Sequence, residues 1–305
     1  MIEVLRAGLC DLVMDQGRPG VGALGVPVGG AADPAALAAA NRLVGNEAAS
    51  AGLEIALAGP VLRFRAAGVV ALTGARFRAA RSKGAAVAWN ETMAVAAGET
   101  LTLDRVEAGC RCWLAWRGGM EVPRVMGSRS TNLPAGFGGY QGRALRAGDV
   151  LEAGSPAGDL HWLRAQPAAA FDPEAPLRVV AGPQAGLFDD AGLAAFFGGV
   201  YRVGAASDRR GLRLKGPHVT HARNELPSQG VVPGAIQVPP DGQPIILGWD
   251  GPVTGGYPVI AGVISVDWPR LAQLRPGDAV RFVTIEAEAA RSLAEASAWR
   301  VEEMA

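Results

Sequence analysis

Polar side chains that can bind an anion crowd one glycine-rich stretch of the sequence, GSRSTNLPAGFGGYQGRALRAGD (127–149). Within it, residues 128–132 supply three hydroxyls, one guanidinium and one carboxamide in an unbroken run. Hydroxyls, a guanidinium and exposed backbone amides together can recognise a carboxylate or a phosphate. Arg129, Ser130 and Thr131 are therefore candidate catalytic residues. The alternative is a structural loop whose side chains satisfy their own backbone, and composition alone slightly favours that alternative.

A second candidate lies in PGAIQVPPDGQPIILGWDGPVTGGYPVIAGVISVD (233–267). Gln237 precedes two prolines there, and Thr254 and Tyr257 flank a glycine pair in a tight turn. A side-chain amide offers both a donor and an acceptor, and the turn adds a hydroxyl and a phenol. These groups can orient a polar substrate, although ordinary hairpin chemistry explains the glycines and prolines equally well.

A literal G-x-G-x-x-G spans Gly20–Gly25 and raises the question of a dinucleotide site. Such a fingerprint needs an apolar strand before it and a helix that opens at its end. Here polar residues and a proline precede it, Pro27 and Gly29-Gly30 follow it, and no helix can begin before Asp33. The context contradicts a Rossmann loop, and the sequence has no Walker A motif either.

Charged residues flank two of these turns. Asp15 and Arg18 precede the glycine motif, and SDRRGLRL (207–214) contains Asp208 and Arg209. Arginines bind anionic groups, and a neighbouring aspartate can act as a base or orient a guanidinium. We therefore include these four residues among the candidate substrate-binding residues.

No metal site and no self-contained hydrolase triad are predicted. His218 and His221 are spaced H-x-x-H, but no third ligand recurs nearby, and Gly216-Pro217 argues against a helix that displays both. The sequence also lacks a G-x-S-x-G motif.

Composition excludes several classes of partner. Lys+Arg and Asp+Glu both number 29, so no net charge is available to hold nucleic acid or an anionic membrane. No window approaches the roughly 20 apolar residues of a membrane helix, and the first residues lack the apolar core of a signal peptide. Three cysteines without C-x-x-C indicate neither a disulfide framework nor a zinc knuckle. We expect a soluble, cytoplasmic-type protein.

Short apolar runs between Gly, Pro and Asp turns predict a mainly β protein with a few helices, an α+β barrel or sandwich. The expected strands are 61–66, 69–74, 100–106, 112–118, 177–182, 244–249, 259–268 and 279–285. Helices are expected at 34–44, at 185–197 and in the tail, 286–305. The first has Asp33 as its N-cap and Pro34 in the first helical position, and it stops at Gly45.

A recurring turn divides the chain into two halves. LRAGDVLEA from Leu145 and LRPGDAVRF from Leu274 share L-R-x-G-D before a strand-like run, which indicates two related barrels unless a common turn recurs by chance. Periodicity is lost in RAQPAAAFDPEAP (164–176). We therefore predict an N-terminal β-barrel domain with an inserted helix over 1–168, and a C-terminal β-barrel domain with a terminal helix over 169–305.

Several motifs, taken in order, resemble one known family. They are DQGRPG, GVPVGGAAD, NRLVGN, LTGA, GGMEVPRVMGSRSTNL, GGYQGRALRAGD, SDRRGLRL, GAIQVPPDGQPIIL and TGGYP. The chain resembles the allophanate hydrolase subunit 2 family, also called the KipA-like family or the family of the 5-oxoprolinase C subunit, which includes part of the carboxyltransferase region of urea carboxylase. The resemblance runs from about residue 1 to about residue 285 and implies two cyclophilin-like β-barrels.

The resemblance also implies an activity and partners. It implies a polypeptide that works with an A subunit, and with a KipI-like B subunit, to open 5-oxo-L-proline to L-glutamate, using ATP handled by the complex, and that is inactive alone. For this activity, the clustering of polar residues at strand-flanking glycine turns suggests the site roles. They are anion binding by Arg18, Arg129 and Arg209, orientation of the lactam or charge stabilisation by Ser130, Thr131, Gln237 and Tyr257, substrate contact by Thr254, and base or orienting roles for Asp15 or Asp208.

Two other functions remain open. One is the carboxyltransferase component of a urea carboxylase or allophanate hydrolase-type system; biotin would then arrive on another polypeptide, because this chain has no Met-Lys-Met. The other is a non-catalytic KipA-like partner that relieves a KipI-type kinase inhibitor. The chain also departs from the family's Q-D-L-G-R at Met14–Arg18, and from its Thr-Thr-Gly-Gly-Tyr-Pro at Val253. The loss of that hydroxyl is neutral if the position only shapes the turn, and it shifts substrate preference if the hydroxyl binds substrate.

Overall fold

The computed structural model describes residues 1–156, 158–167, 171–222, 226–296 and 299–304. Strands hold 34% of the chain and helices 15%, which confirms the predicted mainly β class. The chain divides into two compact units. Unit 1 comprises Met1–Arg18, Gly29–Ala170 and Ala298–Ala305, and unit 2 comprises Pro19–Val28 and Phe171–Ser297. The predicted boundary between residues 168 and 169 lies outside the described residues.

The elements follow one another as short strands with few helices. In chain order the strands are β1 (Ile2–Arg6), β2 (Cys10–Met14), β3 (Gly52–Ala56), β4 (Val61–Phe64), β5 (Gly68–Gly74), β6 (Phe77–Arg81), β7 (Met93–Val95), β8 (Thr100–Val106), β9 (Arg111–Trp116), β10 (Met120–Glu121), β11 (Val150–Ala153), β12 (Leu163–Gln166), β13 (Leu177–Ala181), β14 (Tyr201–Val203), β15 (Gly211–Lys215), β16 (Gln229–Gly230), β17 (Ala235–Gln237), β18 (Ile245–Leu247), β19 (Thr254–Gly255), β20 (Val259–Val263), β21 (Ala279–Val280), β22 (Phe282–Thr284) and β23 (Arg300–Glu303). The α-helices are α1 (Pro34–Leu43), α2 (Asp190–Gly198), α3 (Trp268–Gln273) and α4 (Ala287–Ala296). Short 3-10 turns cover Gly22–Leu24, Ala185–Leu187 and Ser265–Asp267. Among these described residues, no helix combines the length and apolar character needed to cross a membrane.

Unit 1 contains two large antiparallel sheets that share one apolar core, and a two-stranded sheet of β12 and β23. One large sheet has the order β10-β11-β1-β4-β8-β6 and the other the order β2-β3-β9-β5-β7. Both contribute to the core, for example through Val4 and Leu62 from the first sheet and Leu53, Leu72 and Leu114 from the second.

The second sheet of unit 1 is buried on both faces. Along β5, Val70 and Leu72 point into the shared core, whereas Val69 and Ala71 pack with Leu43 of α1. Side chains alternate between the faces of a strand, so a strand covered on both sides carries an unbroken apolar run. This burial explains why β2, β3, β5 and β9 lack an alternating polar pattern.

Helix α1 forms where the sequence predicts it. Asp33 Oδ1 accepts a hydrogen bond from the N–H of Ala36 at 3.0 Å, which satisfies one donor of the first turn, and Pro34 occupies the first helical position. The helix ends at Leu43, and Gly45 follows with a φ of 69°, in the left-handed region that favours glycine.

Unit 2 contains an eight-stranded, nearly closed barrel-like sheet, with the order β21-β14-β15-β18-β17-β20-β13-β22. The strands at the two ends of this sheet are β21 and β22, and only Arg281 separates them along the chain. Val280 of β21 pairs with Tyr201, and Phe282 of β22 pairs with Leu177. The prediction of one continuous strand over 279–285 is therefore wrong: the run serves both edges of the sheet and breaks between them.

Three other predicted elements differ from the structure. The strand expected over 259–268 ends at Val263, and α3 begins at Trp268 because Pro269 fits the first turn of a helix. The helix expected over 185–197 is a 3-10 turn followed by α2, which Asp189 caps. The helical tail ends at Ala296, and β23 then pairs with β12, where Val301 packs against the cluster on the α1 side of unit 1.

The repeated L-R-x-G-D sequence forms the same turn in each unit. In both copies the Asp carboxylate accepts the N–H of the Arg three positions earlier, and the Gly N–H donates to a strand carbonyl. These bonds join Asp149 to Arg146 (2.7 Å) and Gly148 to Val4 (2.8 Å) in unit 1, and Asp278 to Arg275 (3.0 Å) and Gly277 to Val203 (2.8 Å) in unit 2. The two glycines have φ values of 92° and 95°, so the turn needs glycine there. The recurrence is thus structural as well as sequential.

Candidate functional site

Asp15, directly after β2, gathers the loop at residues 128–130. Its carboxylate accepts hydrogen bonds from the hydroxyls of Ser128 (2.6 Å) and Ser130 (2.5 Å) and from the backbone N–H groups of Gly17 (2.8 Å) and Arg129. Asp15 is only 7% exposed, and both serines are fully buried. The carboxylate is therefore engaged in holding the loop against β2.

Arg18 lies beneath the same loop and is 1% exposed. Its guanidinium donates to the carbonyl oxygen of Ser130 and sits over the Phe137 ring, 4.9 Å from the ring centroid. Gly138 has a φ of 69°, and a Cβ there would lie 2.2 Å from that carbonyl oxygen. The backbone at Gly138 can approach the Ser130 carbonyl, which Arg18 binds, because this position is glycine.

The Thr131 side chain also points inward. Its hydroxyl donates to the carbonyl oxygen of Val13 at 2.9 Å, and its backbone N–H donates to the same oxygen at 3.0 Å. The hydroxyls of Ser130 and Thr131 therefore hold the loop in place. This is the arrangement expected of a structural loop whose side chains bond its own backbone and nearby strands.

Arg129 differs from its neighbours because its side chain keeps contact with solvent, at 19% exposure. Its Nε donates to the carbonyl oxygen of Val122 at 3.0 Å, and its guanidinium pairs with Glu121, whose carboxylate is half exposed. Within the run 128–132, Arg129 is thus the residue whose charged group is accessible to an anionic ligand.

A buried carboxylate that the sequence reasoning missed supports the chain just before α1. Glu54 in β3 is 2% exposed and accepts hydrogen bonds from the N–H of Ala32 (2.7 Å) and from the indole N–H of Trp113 (3.1 Å). Burial raises the pKa of the nearby Asp33 to about 6, and the charge of Glu54 adds to that rise. The only sequence signal for Glu54 was a charged residue inside an apolar strand.

Three residues predicted in the second half come together in unit 2. Gln237 at the end of β17 is 4% exposed, and its Nε2 donates to the carbonyl oxygen of Tyr257 at 3.4 Å. A Cβ on Gly255, next to Thr254 in β19, would lie 2.5 Å from the same Nε2. The Gln237 amide therefore lies against the turn that carries Thr254 and Tyr257, both of which are exposed.

Two further glutamines join this turn, and the sequence reasoning missed both. Gln184 Oε1 accepts the N–H of Val259 at 3.1 Å, and Gln184 Nε2 donates to Gln229 Oε1 at 3.0 Å. Gln229 lies in β16, directly opposite Gly255. We call Gln184, Gln229 and Gln237 the glutamine cluster. Isolated glutamines beside Gly and Pro carry no local pattern that would have identified them.

Asp208 and Arg209 are neighbours in the chain but engage different partners. The Arg209 Nε donates to Asp250 Oδ2 at 2.8 Å, and the two side chains are 9% and 1% exposed, so they form a buried ion pair. Asp208 instead pairs with Arg210, and both of these side chains are exposed. Asp250 was not identified from the sequence.

The predicted residues thus fall into separate groups. Asp15, Arg18, Arg129, Ser130 and Thr131 meet in unit 1, whereas Gln237, Thr254 and Tyr257 meet in unit 2. No group of His, Cys, Asp and Glu that could hold a metal ion occurs among the residues that the structure describes. His221 of the H-x-x-H pair instead has its Nε2 3.3 Å from the carbonyl oxygen of Pro239.

Residues 24–284 match the model of the carboxyltransferase domain, subdomains A and B. The chain belongs to this family. The match confirms the resemblance that the sequence motifs indicated, and it extends through most of both units.

Known relatives include free-standing polypeptides and large multidomain enzymes. The chain is 40% identical to the C subunit of 5-oxoprolinase from Escherichia coli, over 95% of this chain and 93% of that protein. It is 33% identical to urea amidolyase of Lachancea kluyveri, over 96% of this chain but 17% of that enzyme. The crystal structure of Kluyveromyces lactis urea carboxylase superposes with a TM-score of 0.90 at 34% identity, over 96% of this chain and 28% of the other.

Proposed function

We propose that this chain is the C subunit of an ATP-dependent 5-oxoprolinase, which opens 5-oxo-L-proline to L-glutamate together with an A subunit, and with a KipI-like B subunit. One observation carries the proposal: the match to the Escherichia coli protein covers 95% of this chain and 93% of that protein at 40% identity. The match to urea amidolyase has a lower identity and covers 17% of the enzyme.

The reaction needs activation because a lactam carbonyl is a poor electrophile. Transfer of the γ-phosphoryl group of ATP to the lactam oxygen creates a leaving group on the carbonyl carbon. One water adds at that carbon, and the ring C–N bond breaks with protonation of the nitrogen, which leaves γ-glutamyl phosphate. A second water then attacks this acyl phosphate, and phosphate departs. The products are L-glutamate, ADP and phosphate.

Arg129 in unit 1, and Gln237 and Tyr257 in unit 2, are the residues of this chain that we assign to ligand binding. The Arg129 guanidinium keeps contact with solvent and can bind an anionic group. Gln237 and Tyr257 share one turn in unit 2 and offer an amide and a phenol for the lactam. Asp15, Arg18, Ser130 and Thr131 then act by holding the loop that carries Arg129.

ATP would be held by the complex at a place other than the Gly20–Gly25 motif. That motif lies on a 3-10 turn, Gly22–Leu24, and the next helix begins only at Pro34. A phosphate loop needs its glycines to open a helix, whose N-terminal N–H groups bind the phosphates. The described residues at this motif do not fit the group.

Reconstitution tests the proposal. The three purified polypeptides, supplied with ATP and 5-oxo-L-proline, should form glutamate, and omission of this chain should abolish it. The double variant Arg129→Ala, Tyr257→Phe should lose at least about 100-fold in kcat/KM, since it removes the proposed anion contact of unit 1 and the proposed lactam contact of unit 2. Arg210→Ala is the control, because Arg210 pairs with the exposed Asp208. Full activity of the double variant would contradict these site assignments.

A second function is favoured by the structural similarity to urea carboxylase, with its TM-score of 0.90. In that case the chain would be a carboxyltransferase component, and biotin would be carried by another polypeptide. Carboxylation of urea, rather than glutamate formation, would then depend on this chain. Assays with both substrates separate the two functions.

A further inference from the structure

The side-chain amide of Gln229 is a buried donor without an acceptor. Its Nε2 is closed off from solvent and has no hydrogen-bond partner among the residues that the structure describes. A buried N–H without a partner costs about as much free energy as a lost hydrogen bond, and native proteins retain few such groups. A donor kept in this state calls for a functional explanation.

The orientation of this amide is set by a relay of hydrogen bonds. The Val259 N–H can only donate, so the atom of Gln184 that meets it must be Oε1. The Gln184 Nε2 therefore faces Gln229 and donates to it, so the Gln229 atom that accepts, at 3.0 Å, must be Oε1. Any flip of either amide would bring two donors together. The relay thus holds the Gln229 Nε2, with its two N–H groups, on the side away from Gln184.

Strand register places Gln229 beside Gln237. Gln229 pairs directly with Gly255 across the β16–β19 ribbon, and directly opposed residues direct their Cβ atoms to the same face, about 5 Å apart. On that face, the position of a Cβ on Gly255 is 2.5 Å from Gln237 Nε2. The two amides therefore share one face of the ribbon.

Their hydrogen-bonding groups are complementary to those of an amide. Gln237 uses its Nε2 on the carbonyl oxygen of Tyr257, which leaves its Oε1 as an acceptor. Gln229 contributes a donor. A lactam or a urea presents a C=O and an N–H side by side, the match for one donor and one acceptor.

We propose that Gln229 is a ligand-binding residue whose Nε2 donates to the carbonyl oxygen of an amide ligand, beside Gln237 Oε1, which accepts the ligand's N–H. Gln184 is the positioning residue that presents this donor. The identity of the ligand as 5-oxo-L-proline rests on the proposed function, whereas the amide class rests on the glutamine cluster itself.

The variant Gln229→Met tests the proposal, because it removes the donor at nearly constant volume. In the reconstituted complex it should raise KM for 5-oxo-L-proline at least tenfold. The melting temperature should change little, because removal of the unpartnered Nε2 offsets loss of the Oε1 that accepts from Gln184. Gln243→Met is the matched control: the amide of Gln243 bonds the N–H and the C=O of Gly216, so its loss should lower the melting temperature and leave KM unchanged. A KM within twofold of the wild type for Gln229→Met would overturn the proposal.

The variant Gln184→Glu tests the relay. A carboxylate there accepts from Val259 and also draws the Gln229 Nε2 toward itself, which turns Gln229 Oε1 to the ligand side. KM should rise as in Gln229→Met without loss of stability, and the double variant should be no worse than Gln229→Met alone. Additive effects of the two substitutions would contradict a positioning role.

Direct binding separates this inference from the proposed function. If the wild-type complex does not turn over 5-oxo-L-proline, the proposed function fails, and the amide site is then tested by saturation-transfer NMR with 5-oxo-L-proline and urea on the full chain. Binding of either compound that is lost in Gln229→Met supports the site. Binding of neither, or equal binding to wild type and variant, overturns it.

Discussion

Asp15 and Ser130 are bound to each other in both directions across 115 positions of sequence. The Ser130 hydroxyl donates to the Asp15 carboxylate at 2.5 Å, and the Asp15 N–H donates to the same hydroxyl oxygen at 2.8 Å. The loop that carries Arg129 is therefore fixed to the end of β2 by buried, charge-assisted bonds, which are stronger than neutral ones.

Substitution of Asp15 by Asn should loosen this loop. The neutral amide offers one acceptor oxygen in place of two and sets an NH2 group against donors. We expect Asp15→Asn to lower the free energy of unfolding by about 3 kcal/mol, measured by urea denaturation. Asp208→Asn is the control, since its partner Arg210 is exposed, and it should change stability by less than about 1 kcal/mol. Equal effects would contradict the role given to Asp15.

Glycine at position 138 is required by both conformation and space. Gly136 and Gly138 have φ values of 66° and 69°, but a Cβ on Gly136 meets nothing within 4 Å, whereas one on Gly138 lies 2.2 Å from the Ser130 carbonyl oxygen. Alanine should cost about 1 kcal/mol at Gly136 from backbone strain alone. It should cost clearly more at Gly138 and reduce activity there, as thermal denaturation and glutamate formation can measure. Similar losses at both positions would refute the close approach.

Arg209 and Arg210 are adjacent arginines with opposite environments. Arg209→Leu leaves the carboxylate of Asp250 buried and uncompensated, so it should cost about 3–5 kcal/mol of stability. Arg210→Leu removes an exposed pair and should cost less than about 1 kcal/mol. Urea denaturation of the two variants checks the prediction. Comparable costs would mean that the Arg209 pair contributes no more than a surface pair.

Stability should depend on pH through Asp33. Burial raises the pKa of Asp33 from 3.8 to about 6, so between these values the folded chain keeps a proton that the unfolded chain has released. The stability from this group is complete below about pH 4 and is lost as pH rises through 6. Asp33→Asn keeps an N-cap acceptor but cannot ionise. The free energy of unfolding of Asp33→Asn, measured by urea denaturation, should therefore rise by up to about 3 kcal/mol relative to wild type between pH 4 and pH 7.

Asp189, the N-cap of α2, provides a control of opposite sign for that experiment. Hydrogen bonds from Thr220 and from the N–H of Gly192 lower the pKa of this exposed carboxyl. The free energy of unfolding of the wild type, relative to that of Asp189→Asn, should therefore increase as pH rises. A difference between wild type and Asp33→Asn that stays constant from pH 4 to pH 7 would contradict the raised pKa.

The sequence predicted the elements that depend on neighbouring residues, such as helix caps, turns and apolar runs. Helix α1 follows from Asp33, Pro34 and Gly45, and the strands follow from apolar runs between turns. It failed at Arg281, where one apolar run divides between the two edges of a barrel-like sheet, because strand pairing is decided by residues about 80 to 100 positions away. It also missed α3, whose apolar residues continue a strand-like run.

The sequence identified the polar residue types of the candidate site, but it did not show which of their side chains point into the protein and which reach solvent. The run 128–132 stood out as polar, but only its pairing with Asp15 and Val13 reveals that its hydroxyls point inward and that Arg129 does not. Gln184 and Gln229 have no distinguishing neighbours in the sequence. Their relay exists because strand register and a turn bring them together, and no local pattern encodes that.

One reaction tests the central claim most directly. The wild-type complex of this chain with the two proposed partner polypeptides, given ATP, bicarbonate, ¹³C-labelled 5-oxo-L-proline and ¹³C-labelled urea, can be followed by NMR. We predict that the glutamate signals grow only when this chain and ATP are both present, while the urea signal stays constant. Persistence of the 5-oxo-L-proline signal in the complete mixture, with consumption of urea, would contradict the account.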